Sequence, residues 1–332
     1  MKTIVYIVKY FGFDHLISIP EGLNEFGPDE FGVIHYSYIF DGLSALVEEL
    51  LPIQDMRNIF LFRHWLNWTF YFFGFIGFFL LLRETIQSSY VVFISSLFYL
   101  LHPRLFGHGF FNQKDSLAQA LVAIALYYCL KSLRVRSIIN SVYSGFFLAL
   151  CIITRMATIY LPILFILLLI IDDKIIKGSL ISKMLKYYLI FLISIFISGY
   201  ILHPYLWGDP INSFISIIQE QAKFPWSGNN YFLGEYISAS NLPWYYIPIW
   251  IGVTTPLPFL VLVAIGLIVS FKKNFMVMNN QIIFDRFMFF GIFTPILAVI
   301  ILDSTLYDGW RHMFFIYPFL AYFMSKGFES LV

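Results

Sequence analysis

Between His102 and Asp115 the chain reads HPRLFGHGFFNQKD, which gathers Arg104, His108, Asn112, Lys114 and Asp115 between two apolar runs. A segment that only anchors a chain in lipid has no use for so many ionisable groups. Arg supplies a planar fork and Lys a point charge for a phosphate. His108 and Asn112 would add hydrogen bonds, while Asp115 would orient Lys114, hold a cation or touch a sugar. Snorkelling at a membrane interface accounts for Arg104 and Lys114, but it leaves the His, Asn and Asp between them unexplained.

Three further clusters carry candidate chemistry. HPYLWGDP, FPWSGNNYFLGEY and NLPWYY, between His203 and Tyr246, interleave aromatic rings such as Trp226 with Asp209, Glu220, Lys223, Asn229, Asn230 and Glu235. Rings beside carboxylates and amides suit a sugar, whose C–H faces stack while its hydroxyls need polar partners. An aromatic belt at head-group level is the plainer account. LYDGWRHMFFIYP places Asp308, Trp310, Arg311 and His312 at the mouth of an apolar run, where a helix N-terminus would add positive charge for an anion. Arg63-His64 and Arg155 are weaker instances of the same pattern. Asp29 and Glu30, adjacent in an acidic N-terminal region, would serve as a general base or hold a divalent cation, although surface acids are commoner than catalytic ones. No nucleotide loop, Ser-His-Asp arrangement or zinc spacing is present.

The elements that must position these residues are transmembrane helices. The chain is 59% hydrophobic and 12% charged, against about 25% charged in soluble domains. The expected architecture is an all-α polytopic bundle of about nine spans, near 66–82, 88–101, 116–131, 137–153, 157–172, 187–203, 248–270, 284–302 and 312–326. A net charge of +1 and no basic stripe give no sign of nucleic acid, and Cys129 and Cys151 lie inside apolar runs without ligand spacing.

Charge bias sets the expected orientation. The region 137–172 reads either as one long helix with Arg155 near its middle or as a hairpin with Arg155 at its tip. The hairpin puts the basic loops 131–136, 174–186 and 272–286 on one side, which the positive-inside rule makes cytoplasmic. Residues 1–65, with interfacial helices, and the loops 102–115, 204–247 and 303–311 then lie outside, the last three as part of a 66–332 module. A translocated 1–65 segment calls for a preceding span, so a helix upstream of Met1 is expected, and further helices are expected beyond Val332.

HPRLFGHGFFNQKD, HPYLWGDP with FPWSGNNYFLGEY, LPWYY with TTP, and LYDGWRHMFFIYP, in this order from about Asp41 to Phe328, resemble landmarks of bacterial glycosyltransferase family 39-type membrane proteins. These are similar to dolichyl-phosphate-mannose–protein mannosyltransferases and to the lipid A aminoarabinose transferase, all of the GT-C fold. The resemblance implies a multi-pass plasma-membrane enzyme that moves a sugar from a polyprenyl-phosphate donor to a protein or lipid acceptor on the extracytoplasmic face. In such enzymes an acidic residue after the first helix acts on the acceptor and a second external loop contacts the lipid phosphate. Arg104, Lys114 and Asp115 match that second loop. Asp29 and Glu30 depart from the pattern, because no first helix precedes them.

The chemistry agrees with these residue types. An inverting transfer needs one carboxylate to take the acceptor's proton and cations to stabilise the departing phosphate. Two rivals come from other classes: a transporter or flippase for an amphipathic lipid, and a non-catalytic subunit that binds a polyprenyl-phosphate head group. Transporters place ionisable groups near the bilayer midplane, often within repeats, whereas these crowd one face.

Overall fold

The computed structural model describes residues 38–51, 53, 55–172, 181–222, 226, 228–272 and 279–332. Thirteen α-helices run through them in chain order. They are α1 (Tyr38–Leu50), α2 (Met56–Thr85), α3 (Ser89–Leu100), α4 (Pro103–Phe111), α5 (Asp115–Arg134), α6 (Ile138–Thr154) and α7 (Tyr160–Ile171). There follow α8 (Ile181–Leu202), α9 (Pro210–Ala222), α10 (Tyr246–Thr254), α11 (Leu257–Lys272), α12 (Asn280–Ile301) and α13 (Tyr317–Glu329). Side chains set several of the starts: Asp55, Ser88, Ser137 and Asn279 each accept a hydrogen bond from the backbone N–H three residues on, which satisfies a donor the helix cannot.

Four helices are long and apolar enough to cross a membrane, Met56–Thr85, Asp115–Arg134, Met184–Leu202 and Asn280–Ile301, or up to six spans if each of two bent pairs counts as one. Nine spans are not found among the described residues: the α-helices over the expected spans 137–153, 157–172 and 312–326 are 17, 12 and 13 residues long, and two other expected spans are bent. The expected 248–270 span is bent by 120° between α10 and α11. Thr255 is extended there (φ −105°, ψ 133°), the conformation that Pro256 imposes on its predecessor. The expected span 88–101 runs into a second helix, α4, at a 58° bend; Pro103 at its first turn favours helix initiation. Residues 102–115, expected as a loop, are thus mostly helical.

The region 137–172 is not one continuous helix. It stops at Arg155 (φ −145°, ψ 102°) and resumes through a 3-10 turn, Met156–Ile159. Helix α2 starts at Met56, earlier than the expected span, so residue 65 falls inside it. The segment 204–247 also holds structure of its own: helix α9 and an antiparallel hairpin, β1 (Asn229–Phe232) with β2 (Glu235–Ser238). Leu233 and Gly234 both have positive φ in its tight turn.

Helices α2, α5 and α6 pack side by side, α6 continues the contact to α8, and α13 lies against α3 and α11. Every residue from Met313 to Gly327 is buried, so α13 forms the centre of the bundle. Its tightest contact is with α11. A Cβ on Gly266 would lie 1.8 Å from the Phe323 carbonyl oxygen, and one on Gly327 would lie 2.0 Å from that of Leu262. Small residues let membrane helices approach this closely. Outer faces are apolar as well: Phe196 and Ile201 of α8 are exposed, as suits a helix that faces lipid.

Ion pairs tie both ends of α5. At its C-terminus Lys131 and Arg134 reach Glu84 of α2, each at 2.6 Å. At its N-terminus stands the polar cluster of residues 102–115. Twenty residues separate the two, about 30 Å of helix, so the bundle has two distinct polar ends.

Candidate functional site

The structure brings two of the sequence clusters together at one end of the bundle. Arg104, on α4, donates from Nη2 to the Asp308 carbonyl oxygen at 3.0 Å and approaches its Oδ1 at 3.5 Å. Arg311 donates from Nη1 to Asp308 Oδ2 at 3.1 Å, and its Nε lies 3.9 Å from Asp115 Oδ2. Arg155, expected at a turn where it would meet a carboxylate, donates from Nη2 to Asp115 Oδ1. Asn112 completes the local network: its Nδ2 donates to Asp115 Oδ2 at 2.9 Å, its Oδ1 accepts from the Asp115 N–H at 3.1 Å, and His108 Nδ1 lies 3.1 Å from its amide.

Aromatic rings and a glycine hold the arginines in place. Arg104 lies over Trp250 and Phe314, and Arg311 over Tyr307. Gly309 has φ +66°, and a Cβ there would come within 3.0 Å of Arg104 Nη2. The turn is pinned on both sides. Gly309 donates its N–H to Tyr246 Oη, Trp310 Nε1 donates to Thr254 Oγ1, and Asn230 Nδ2 donates to the Leu306 carbonyl. His102 Nε2 lies 3.4 Å from Thr255 Oγ1, so the break at Pro256 is itself a strut of the site.

Lys114 is half-buried beside Asp115. Burial pushes its ammonium below the ordinary lysine value and Arg155 adds to that, while Asp41 and Asp115 pull the other way. His312 sits edge-on to Tyr307 with ring centroids 4.4 Å apart. Burial, with Arg155 in support, pushes its imidazole down to about 3, so it is neutral near pH 7. Asp41 is a member that sequence reasoning did not single out: Gln113 Nε2 lies 3.4 Å from its Oδ1. Asp308 was noted only as a neighbour of Arg311, yet it bridges Arg311 to Arg104.

Other predicted residues lie apart from this network. Trp226 reaches its edge through Tyr307, with ring centroids 4.6 Å apart. Asp209 is exposed and caps α9, where Asn212 holds its carboxyl below the ordinary range. Glu235 is exposed at the start of β2. Asp29, Glu30 and Lys223 lie outside the described residues. Among the described residues, no three His, Cys, Asp or Glu side chains converge to hold a metal ion.

The cluster holds Arg104, Lys114, Arg155 and Arg311 against Asp41, Asp115 and Asp308. The Nε groups of Arg104, Arg155 and Arg311 are buried without a hydrogen-bond partner among the described residues, which leaves donors for an incoming anion. Asp115 is only 3% exposed, and its carboxylate organises the cations around it. Beside α5 lies an apolar groove of about 340 Å³ lined by Ile39, Phe73, Leu117, Leu121, Ile124 and Tyr128 among others. Ile39 stands two residues from Asp41 and Leu117 two from Asp115. The groove's lining on α5 thus begins two residues beyond Asp115 and continues along that helix to Tyr128. A cavity of about 130 Å³, lined by Ser240, Trp244, Tyr246, Asp303 and Ser304 among others, shares Tyr246 with the pinned turn. No protein-family model matches this chain, and no curated protein or solved structure does so either.

Proposed function

We propose that this chain is a membrane glycosyltransferase that takes a sugar from a polyprenyl-phosphate donor at the extracytoplasmic face and passes it to a protein or lipid acceptor. The observation that carries the reading is an arginine-rich cluster at one end of α5 and, from two residues further along that helix, the lining of an apolar groove. A ligand that fills both is amphipathic and anionic at the joint between head and tail, which is the chemistry of a lipid-linked sugar phosphate. Arg104, Arg311 and Lys114 neutralise the phosphate as it departs. The sugar lies toward Trp226 and Tyr307, whose rings suit its C–H faces. The GT-C resemblance of the sequence landmarks supports the same assignment.

Turnover of the donor tests it. Membranes containing the protein are supplied with labelled polyprenyl-phosphate sugars and a panel of acceptors, and release of polyprenyl phosphate is followed. Release that is lost in Lys114→Ala supports the transferase. Absence of release from a correctly inserted protein with every donor and acceptor overturns it.

One observation favours a second reading. Asp115, the most buried carboxylate of the cluster, is committed to Arg155 and Asn112, which suits a subunit that binds the lipid head group without catalysing transfer. Binding of the lipid phosphate with no turnover selects that alternative.

A further inference from the structure

Asp308 stands where an anion would. Its carboxylate reaches Arg311 with one oxygen and Arg104 with the other, and these are two of the arginines whose Nε groups lack a partner among the described residues. The other carboxylate that touches Arg311, Asp115, is 3% exposed, whereas the Asp308 side chain is 51% exposed. Asp308 is therefore the carboxylate of this pair that can leave without crossing protein.

The backbone around it is built to stay still while the side chain moves. Leu306, Gly309 and Trp310 are hydrogen-bonded to the hairpin, to Tyr246 and to Thr254. Arg104 also holds the Asp308 carbonyl at 3.0 Å, so this guanidinium keeps a fixed partner when the carboxylate departs. Asp308 and Gly309 both have positive φ, a conformation that Asp tolerates better than most residues and that aims the side chain back over the arginines.

We propose that Asp308 is a built-in stand-in anion: its carboxylate occupies the seat between Arg104 and Arg311 when no ligand is present and swings out when a phosphate takes its place. The inference rests on the phosphate-binding reading above. The exchange swaps one negative charge for another when the ligand is a phosphodiester, so the cluster keeps its balance with and without the donor. After transfer the product is a monoester, which carries about −1.5 to −2 near pH 7. The returning carboxylate then competes with it for the arginines. Arg104 and Arg311 are never left unpaired through the cycle.

Carboxyl footprinting of the intact protein in detergent tests this without any substitution. Carbodiimide and an amine label accessible carboxylates, and mass spectrometry reads the labelling of Asp308 with and without farnesyl phosphate. The expected result is a rise in Asp308 labelling as farnesyl phosphate saturates, with Asp115 unchanged. A parallel measurement compares affinities: Asp308→Asn should bind farnesyl phosphate roughly tenfold more tightly than the wild type, and Asp308→Glu should return toward wild-type affinity. Displacement by farnesyl phosphate at concentrations where inorganic phosphate is inert assigns the anion to a lipid head group. Equal displacement by inorganic phosphate keeps the stand-in role and overturns the lipid assignment. Binding of farnesyl phosphate without a rise in Asp308 labelling overturns the stand-in and leaves the phosphate site intact. No binding by either protein overturns both.

Discussion

Arg155 and Asp115 pair where α6 ends and α5 begins, the guanidinium Nη2 of the one on the carboxylate Oδ1 of the other. Their side chains are 15% and 3% exposed, so each has traded water for its partner. Removing one member of such a pair leaves an uncompensated buried charge. Arg155→Met should therefore cost about 3–5 kcal/mol, read as a fall in thermal midpoint in detergent. The double variant Asp115→Asn with Arg155→Met should recover more than half of that loss. Equal losses in the single and double variants would show that the pair contributes little.

The crossing of α11 and α13 gives a steric prediction. Gly266→Ala places a methyl group where the Phe323 carbonyl already stands, so the helices must separate. The expected loss is about 2 kcal/mol or more, by analogy with overpacked cores. Gly199→Ala, in α8, meets nothing within 4 Å and should be neutral or slightly stabilising, since Ala is the better helix former. The two thermal midpoints, measured side by side, separate a close approach from a general dislike of substitution.

The site should also respond to acid. His312 has its folded-state pKa depressed from 6.5 to about 3, so the unfolded chain binds a proton that the native site refuses. Stability from this group is complete above about 6.5 and falls as pH drops through the window toward 3. The midpoint should fall between pH 6.5 and 4.5 by the equivalent of about 2 kcal/mol. His312→Gln should flatten this slope, whatever it does to the absolute midpoint; an unchanged slope would place the acid sensitivity elsewhere.

The arginines should not be interchangeable with lysine. Arg104 meets Asp308 through Nη2 while its planar guanidinium lies over two rings, a geometry that an ammonium does not reproduce. Arg104→Lys should weaken binding of farnesyl phosphate by about tenfold and Arg104→Gln by more, with each charge-assisted contact contributing roughly 1.5–3 kcal/mol. Equal affinity of Arg104→Lys and wild type in a binding titration would reduce the residue to a point charge.

Composition and apolar periodicity were enough to read helices and a membrane setting, because those depend on sums over many residues. The 102–115 cluster was legible for the same reason that it is unusual, ionisable groups beside apolar runs. The breaks were written less clearly. Pro103 and Pro256 are visible in the sequence, yet only the fold shows that Pro256 turns the chain by 120°. Asp308-Gly309 is a turn dipeptide by type, but nothing local says that Arg104, on α4, is its partner. Asp41 was passed over because its neighbours in sequence are apolar, and its role comes from Gln113 across the fold. Pairings of this kind depend on how helices stack, which a single sequence does not spell out.

The burial of α13 on every side has a consequence for biosynthesis. A chain emerges N-terminus first, and α13 follows every helix it packs against. Until Tyr317–Glu329 has been made, α3, α11 and α12 present to one another a vacancy as wide as a helix. Lipid or the wrong neighbour can fill it. Assembly of this protein should thus be gated by its latest described helix, and insertion faults in unrelated parts of the bundle should converge on one symptom: a polar site whose Arg311 and His312 never arrive.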